Sequence, residues 1–481
     1  MKKISIKFGT DGWRGVIADE FTFEGVRIVS QGVSNYLKKK IGSSRKPFIV
    51  VGYDTRFLSE RFAEESAQIF KLNNIKVYLS DKIITSPVLS FAVVEKKADL
   101  GIMITASHNP YYYNGYKIKG PFGGSATMDI IVDVEKEVSE VIKNTESYKK
   151  YLYPEEADRP DVERIDFLPS YKQNLLSKVD TDIIKNFDFK LLLEPMYGAA
   201  QGIYKKIIQQ FSPENVTEIH SEVNPSFGGI NPEPIGDNLA EAKSALLSKK
   251  YKLAICLDGD GDRIAALGED GNYISSHHIF AIVLWYLAER KKMRGKVVKS
   301  INLSSVLDRI CSKYDLEVKT TPVGFKYIAE EILKGGVIMG GEESGGLWAG
   351  GDTPERDGML MGLKLIEIIC DTGMTLNQIL EKIYNEFGYF VFDRVDYEID
   401  MDQNENLKNL LEKDIPKVLR EAGVQNVVTL DGYKYMMKDG SWIMIRLSGT
   451  EAVVRVYTEG SSDKEAEHLQ ELGKKVLKSA F

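Results

Sequence analysis

The sequence predicts an α/β protein of four domains, with three α/β/α mixed-sheet domains of similar architecture followed by a C-terminal α+β domain, around a central cleft. Three observations predict it. Short apolar runs alternate with helical patterns in three successive stretches of the chain. Each stretch ends a buried strand in a polar loop, glycine-rich in the second and third. The chain beyond residue 374 departs from this alternation, and at 481 residues the whole is too long for one ordinary core.

The elements follow in order. Residues 48–51 are a short apolar run, read as a buried strand, and 52–56 are a polar loop. Ser59 begins a helix with Phe62, Ala63, Ala67 and Phe70 on one face. Residues 75–79 form a strand, and Ser86 as N-cap with Pro87 in the first turn opens a second helix. Residues 100–104 form a third strand that runs into the loop 105–110. This is the grammar of a mostly parallel sheet covered by helices.

The grammar returns twice. Strands at 189–193, 216–220 and 253–257, with helices from Tyr197 and near 237–247, end in the loop 258–263. Strands at 296–301, 316–319 and 337–339, with helices near 304–313 and 322–333, end in the loop 341–346. No residue-by-residue identity joins the stretches, so the repeat is one of architecture. In the tail, a helix at 376–387, strands near 391–399 and a helix near 405–422 precede a strand at 443–446 and the loop 447–451. The domains are expected at 1–164, 165–275, 276–374 and 375–481. Ligands of open α/β sheets gather beyond the carboxyl ends of strands, so the four loops are expected to converge on one composite site.

Composition narrows the function. Apolar content of 43% and charged content of 28% are those of a soluble globular protein. A net charge of −7 without a basic block argues against a nucleic-acid binder, and the lysines at 38–40 and 291–292 read as solvated helix faces. No apolar run approaches the roughly 20 residues needed to span a bilayer. The first residues lead into 4–8 without an apolar signal core, so a cytoplasmic protein free of membranes is expected. Cys256, Cys311 and Cys370 are far apart and lack CxxC spacing, as buried thiols in a reducing compartment would be.

The loops carry the chemistry. Asp258, Asp260 and Asp262 are carboxylates spaced by glycines on a tight turn, where mutual repulsion makes a hard cation the natural partner. A solvated acidic turn is the bland alternative. An EF-hand is disfavoured: Glu269 stands at its twelfth position, but the sixth is Arg263 and the preceding segment reads as strand. Ser107, beside His108, follows an apolar strand without a G-x-S-x-G elbow. A serine carrying phosphate beside a metal loop makes better sense of it than a hydrolase triad, although alone the loop supports only a capped turn. Arg446, Ser448, Gly449 and Thr450 form a compact anion-binding set, to which Arg455 adds a cation. The glycine-rich loop 9–15 carries Arg14, and Glu342 and Ser344 have the groups to hydrogen-bond vicinal sugar hydroxyls.

Together these loops resemble the α-D-phosphohexomutase family. The serine loop stands at 105–110, the metal loop at 258–263, the sugar loop at 341–345 and the phosphate loop at 446–451, in the family's order and over essentially the whole chain. The resemblance implies that Ser107 is a phosphoserine and that Asp258, Asp260 and Asp262 hold Mg²⁺ together with it. Arg263 would be an electrostatic partner. Lys117 matches a lysine implicated in proton transfer, with His108 and Arg14 beside it. Glu342 and Ser344 would bind the hexose, and Arg446, Ser448, Gly449 and Thr450 the phosphate that is not reacting. The loop 321–326, which ends in Lys326, resembles one that contributes to sugar choice. Gly346 stands where several members have histidine, and Phe325 where some have a polar residue.

The implied reaction is reversible interconversion of hexose 1-phosphate and hexose 6-phosphate through a hexose 1,6-bisphosphate, which also serves as primer. The Glu-Glu-Ser pattern leans toward glucose and leaves mannose open; a phosphoglucosamine mutase is the alternative reading. A magnesium-dependent phosphatase with a phosphoserine is a rival that would release phosphate to water, and a non-catalytic sugar-phosphate sensor would not need Ser107 beside three aspartates. The expected partner is a sugar phosphate, and the enzyme is expected to be a monomer or dimer.

Overall fold

The structure, a computed structural model, describes residues 6–9, 12–185, 187–447 and 453–480. Its contacts divide it into two compact units. The first comprises Met1–Ile279, Ala329–Gly335 and Ser344–Thr375, and the second Phe280–Ile328, Gly336–Glu343 and Leu376–Phe481.

The first unit holds two mixed sheets. One contains β1 (Trp13–Val16), β2 (Phe48–Tyr53), β3 (Lys76–Ser80), β4 (Leu100–Ile104), β5 (Tyr113–Lys119) and β6 (Arg164–Ile165), in the order β1-β5-β4-β2-β3-β6. Strand β2 runs parallel to β3 and β4, whereas β5 is antiparallel to β4 and β1. Every residue of β2 and of β4 is buried, as the continuous apolar runs require of strands covered on both faces. Helices α1 (Phe23–Ile41), α2 (Ser59–Leu72), α3 (Ser86–Lys96) and α4 (Met128–Lys143) accompany the strands. The Thr22 hydroxyl caps α1 by accepting from the Gly25 N–H, and three lysines in its last turn complement the helix dipole. Gly32 lets α4 approach so closely that a Cβ there would meet Val138 Cγ2 at 2.5 Å.

The second sheet of this unit contains β7 (Leu191–Glu194), β8 (Val216–Glu218), β9 (Leu253–Leu257), β10 (Ile264–Gly268) and β11 (Tyr273–Ile274), in the order β11-β10-β9-β7-β8. Its parallel core again meets an antiparallel hairpin, here β9-β10. The serine and metal loops are therefore equivalent in topology. Each turns a buried parallel strand back into an antiparallel neighbour, β4 into β5 and β9 into β10.

In the second unit, β12 (Lys296–Ser300) lies between β13 (Glu317–Thr321) and β14 (Val337–Gly341), parallel to both. The C-terminal sheet is antiparallel throughout, in the order Val391–Glu398, Val453–Gly460, Trp442–Leu447, Tyr433–Met437 and Val424–Val428. The helix Asp463–Ala480 buries Leu469, Leu472, Val476 and Leu477 in one cluster with Val454 and Val456 of this sheet. Three α/β segments and an antiparallel α+β tail are thus the architecture that the sequence predicts.

Some local readings are corrected. The helix expected from Tyr197 begins at Ile203, because Met196, Tyr197 and Gly202 occupy the left-handed region at φ 50°, 57° and 67°. The single helix expected near 405–422 is two, Met401–Lys413 and Lys417–Glu421, separated at Pro416, whose ring and missing N–H cannot continue a helix. Thr85, not Ser86, occupies the N-cap position of α3, which leaves the Ser86 hydroxyl free for another partner. Cys256 and Cys311 are buried as expected, but Cys370 is half-buried. Among the described residues no helix is long and apolar enough to cross a membrane.

Candidate active site

The metal loop is the turn of the β9-β10 hairpin, and its glycines let other segments of the chain approach it closely. Gly261 takes φ 74° there, a left-handed turn that glycine adopts without strain. Gly259 is needed for space, since a Cβ would lie 2.4 Å from the Ser107 carbonyl oxygen. Asp258, Asp260 and Asp262 are all fully buried, and one carboxylate oxygen from each lies within 4.8 Å of the others.

Their neighbours differ. Asp258 accepts from the Arg263 N–H at 3.0 Å and from the Ser107 hydroxyl at 2.8 Å. Asp260 accepts from the Ser86 hydroxyl at 2.5 Å and from Lys117 Nζ at 2.9 Å. Asp262 accepts from Arg356 Nη2 at 2.5 Å, with Lys117 Nζ at 3.5 Å. Burial and the two neighbouring carboxylates push the Asp258 carboxyl well above its ordinary range. At Asp260 the same burial is outweighed by Lys117, the Ser86 hydroxyl and Arg356, which hold its carboxyl below that range.

These residues fit a hard divalent cation. Asp260 Oδ1 and Asp262 Oδ1 are buried without a hydrogen-bond partner, a costly arrangement for carboxylates unless a cation receives them. Ser107 Oγ stands beside the same cluster, and oxygen is the donor throughout.

The serine loop delivers its side chain under strain. Ser107 has φ 53°, in the left-handed region that non-glycine residues rarely adopt, and its N–H donates to Thr105 Oγ1 at 2.9 Å. Lys117 follows on β5, almost wholly buried, opposite Met103 of β4. His108 has a buried Nδ1 without a partner, and burial together with Arg263, Arg14 and Lys117 holds its imidazole well below the ordinary range. At neutral pH it is therefore uncharged. Arg14 Nη1 donates to Asn109 Oδ1 at 2.5 Å, and Arg263 Nη1 to Glu233 Oε1 at 3.1 Å.

Ser344 is half-buried in the first unit, where the adjoining Gly345 carbonyl accepts from the Ile264 N–H at 3.1 Å. Glu342, Lys326, Arg446 and Arg455 belong to the second unit. Glu342 is buried just after β14, and Lys326 Nζ lies 4.9 Å from the centre of the Tyr327 ring. Arg446 and Arg455 are direct cross-strand partners, and each is paired separately, with Asp431 at 3.0 Å and Asp396 at 3.3 Å. Two guanidinium groups in that register suit an anion. Ser448, Gly449 and Thr450 lie outside the described residues.

The sequence does not by itself place Arg56, Ser86 or Arg356 at this site. Ser86 carries a cap signature and Arg56 a place in a polar loop. Arg356 carries no local signal: it reaches Asp262 across 94 positions.

Known proteins resemble this chain over nearly all of its length. Residues 5–149, 169–271 and 275–387 match α/β/α domains I, II and III of phosphoglucomutase/phosphomannomutase, and 406–472 match its C-terminal domain. A phosphoglucomutase of Komagataeibacter xylinus is 29% identical over 97% of this chain and 89% of its own. A probable phosphoglucosamine mutase of Methanosphaera stadtmanae is 30% identical over 98% of each chain. A crystal structure from Thermus thermophilus that carries a phosphomannomutase name is 32% identical, covers 98% of this chain and 99% of its own, and has a TM-score of 0.84. The chain belongs to the phosphoglucomutase/phosphomannomutase family, the α-D-phosphohexomutases. It is an intramolecular phosphotransferase of that family.

Proposed function

We propose that this enzyme interconverts hexose 1-phosphate and hexose 6-phosphate, favouring glucose and leaving mannose open, through a phosphoserine at Ser107 and a hexose 1,6-bisphosphate that also primes it. One observation supports this above the others: Ser107, held in the left-handed region, sets its hydroxyl 2.8 Å from one of three buried aspartates, two of which keep an oxygen without a partner. Asp258, Asp260, Asp262 and a phosphoserine oxygen would hold a cation there, and it would satisfy all of these groups at once.

Mg²⁺ in that place would neutralise charge on the transferring phosphoryl group. The protein groups do the rest. As the bond from phosphorus to Ser107 Oγ breaks, a bond to the free sugar hydroxyl forms. The hydroxyl proton passes to the pair His108 and Lys117, and a proton returns to Ser107 Oγ from the same pair. Neutral His108 keeps a buried nitrogen, Nδ1, without a partner to hold it. Arg263 and Arg14 offset negative charge, and most of the acceleration comes from this positioning. Glu342, Ser344 and Lys326 bind the sugar, and Arg446, Arg455, Ser448, Gly449 and Thr450 bind the phosphate that is not reacting. The four domains of this reading are 1–164 for phosphoserine, 165–275 for metal, 276–374 for sugar and 375–481 for phosphate.

Relatives named for glucose, mannose and glucosamine phosphates support a phosphoglucosamine mutase about as well. Phosphorus NMR of the enzyme with Mg²⁺, a trace of glucose 1,6-bisphosphate and the 1-phosphate of glucose, mannose or glucosamine separates them. We expect conversion to the 6-phosphate fastest for glucose, and its loss in Ser107→Ala. Steady release of inorganic phosphate instead would make the enzyme a phosphatase.

A further inference from the structure

The polar loop after β2 carries an arginine, Arg56, whose side chain is fully buried between that loop and the serine loop. Nη1 donates to the carbonyl oxygens of Pro110 at 2.8 Å and Tyr113 at 3.0 Å. Nη2 donates to those of Ser107 and Asn109, both at 2.6 Å. All four donors of the two terminal nitrogens thus end on one seven-residue stretch that contains the candidate nucleophile. The remaining Nε lies 3.3 Å from Asp54 Oδ2. Asp54 is itself fixed, its Oδ1 accepting from the Arg56 N–H at 2.9 Å and from the Ser59 hydroxyl at 2.7 Å. The guanidinium also stands 4.9 Å from the centre of the Phe227 ring.

We infer that Arg56 is a positioning residue for phosphoryl transfer, whose guanidinium gathers the carbonyls of residues 107–113 and thereby holds Ser107 in the strained conformation that presents Oγ to Asp258. The inference rests on the reading of Ser107 as the phosphate carrier.

The physical case has three parts. A residue at φ 53° relaxes unless its surroundings over-determine it, and here the Ser107 carbonyl is fixed between Arg56 Nη2 and the backbone of Gly259. The contact with Gly259 only pushes, so it cannot set the direction of the carbonyl alone. Gathering four carbonyls also turns their negative ends toward the buried guanidinium. Finally, only a planar fork meets four acceptors at four separate points: lysine offers three donors from a single atom. Asp54 offsets the buried charge and orients the fork, so it acts through Arg56.

A structural ion pair would contribute to stability alone, and the test separates the two roles. Wild type, Arg56→Lys and Asp54→Asn are mixed with radiolabelled glucose 1,6-bisphosphate and Mg²⁺. The initial rate of label transfer to Ser107 is followed by peptide analysis, alongside kcat, KM and the melting temperature. We expect Arg56→Lys to transfer label about 100-fold more slowly, since a displacement near 1 Å costs that much. Its kcat should fall in proportion, with KM within about threefold of wild type. Asp54→Asn should fall about tenfold in the same pattern. Label transfer at the wild-type rate in Arg56→Lys, or a loss confined to KM, overturns the inference alone. If Arg56→Lys does not fold, Asp54→Asn decides by the same two quantities. A wild-type enzyme that takes no label on Ser107 overturns the phosphoserine reading and this inference with it.

Discussion

At the scale of single residues the site is governed by close approach. Gly259 is not in a left-handed conformation, so its requirement is one of space. A Cβ would stand 2.4 Å from the Ser107 carbonyl oxygen and about as close as 3.2 Å to the Pro232 ring, with the Gly259 N–H bonded to the Pro232 carbonyl at 3.0 Å. The nearest atom belongs to backbone and cannot rotate away, so Gly259→Ala must separate the serine loop from the metal loop. We expect a cost of about 1–3 kcal/mol in stability and a fall of about 100-fold in kcat. Urea unfolding and steady-state kinetics measure the two effects. Activity within twofold of wild type would show that the loops tolerate separation, and that the close packing of Ser107 on Gly259 is not part of catalysis.

At the scale of elements, the turn after β7 supports the metal loop from below. Glu194 Oε1 accepts from the Met196 N–H at 2.6 Å, the Tyr197 N–H donates to the His220 carbonyl at 3.0 Å, and the Ala199 N–H donates to the Gly259 carbonyl at 2.9 Å. His220 joins this turn by Nδ1 to Glu194 at 2.6 Å and by Nε2 to Glu241 at 3.0 Å. The bond to Glu194 raises the imidazole to about 9 against the cost of burial. Because the folded value lies above the ordinary one, the stabilisation is fully present below about pH 6.5 and is lost as pH rises through about 9. After allowance for solvent screening it amounts to about 1–2 kcal/mol. The stability gap between wild type and His220→Gln, from urea unfolding, should therefore close between pH 6.5 and pH 10. A gap that is constant with pH would place the effect in packing instead.

The same elements show what a sequence reveals. Strand 253–257 and helix 376–387 are legible residue by residue, because a buried strand and an amphipathic helix are written in their own periodicity. The metal loop is legible because carboxylates spaced by glycines at the end of an apolar run favour a cation, whereas the serine loop, which alone supports only a capped turn, is legible through its place beside that loop. Ser86 reads as an N-cap because Ser-Pro is a local helix-start signature, whereas its hydroxyl serves Asp260, 174 positions away. Arg56 and Arg356 act through partners well separated in the chain, which no local pattern encodes. The break at Pro416 is written in the sequence, but apolar spacing on either side of it suggests a single helix.

At the scale of the whole molecule, the first unit is assembled from three separate stretches of chain, and the metal loop draws on both of the long ones. Lys117 comes from the stretch that begins the chain, and Arg356 from the stretch Ser344–Thr375. The residue before Arg356, Glu355, is paired with Lys119 and accepts from the Ser90 hydroxyl, so this returning stretch is tied to the first sheet by buried charge. A cation bound by Asp258, Asp260 and Asp262 should therefore stabilise the first unit broadly, well beyond the loop itself. Binding only to the folded form contributes about 2.7 kcal/mol at a concentration 100 times Kd. Hydrogen exchange with and without Mg²⁺ should show slower exchange in peptides from 100–119, 253–268 and 355–372, which share these pairs. Peptides from 391–398 and 424–437 of the second unit should change little. Asp260→Asn should abolish the protection, because it removes one of the two oxygens without a partner. Equal protection across both units would mean that the cation acts on the folded chain as a whole, and no protection in any peptide would mean that the aspartates do not hold it.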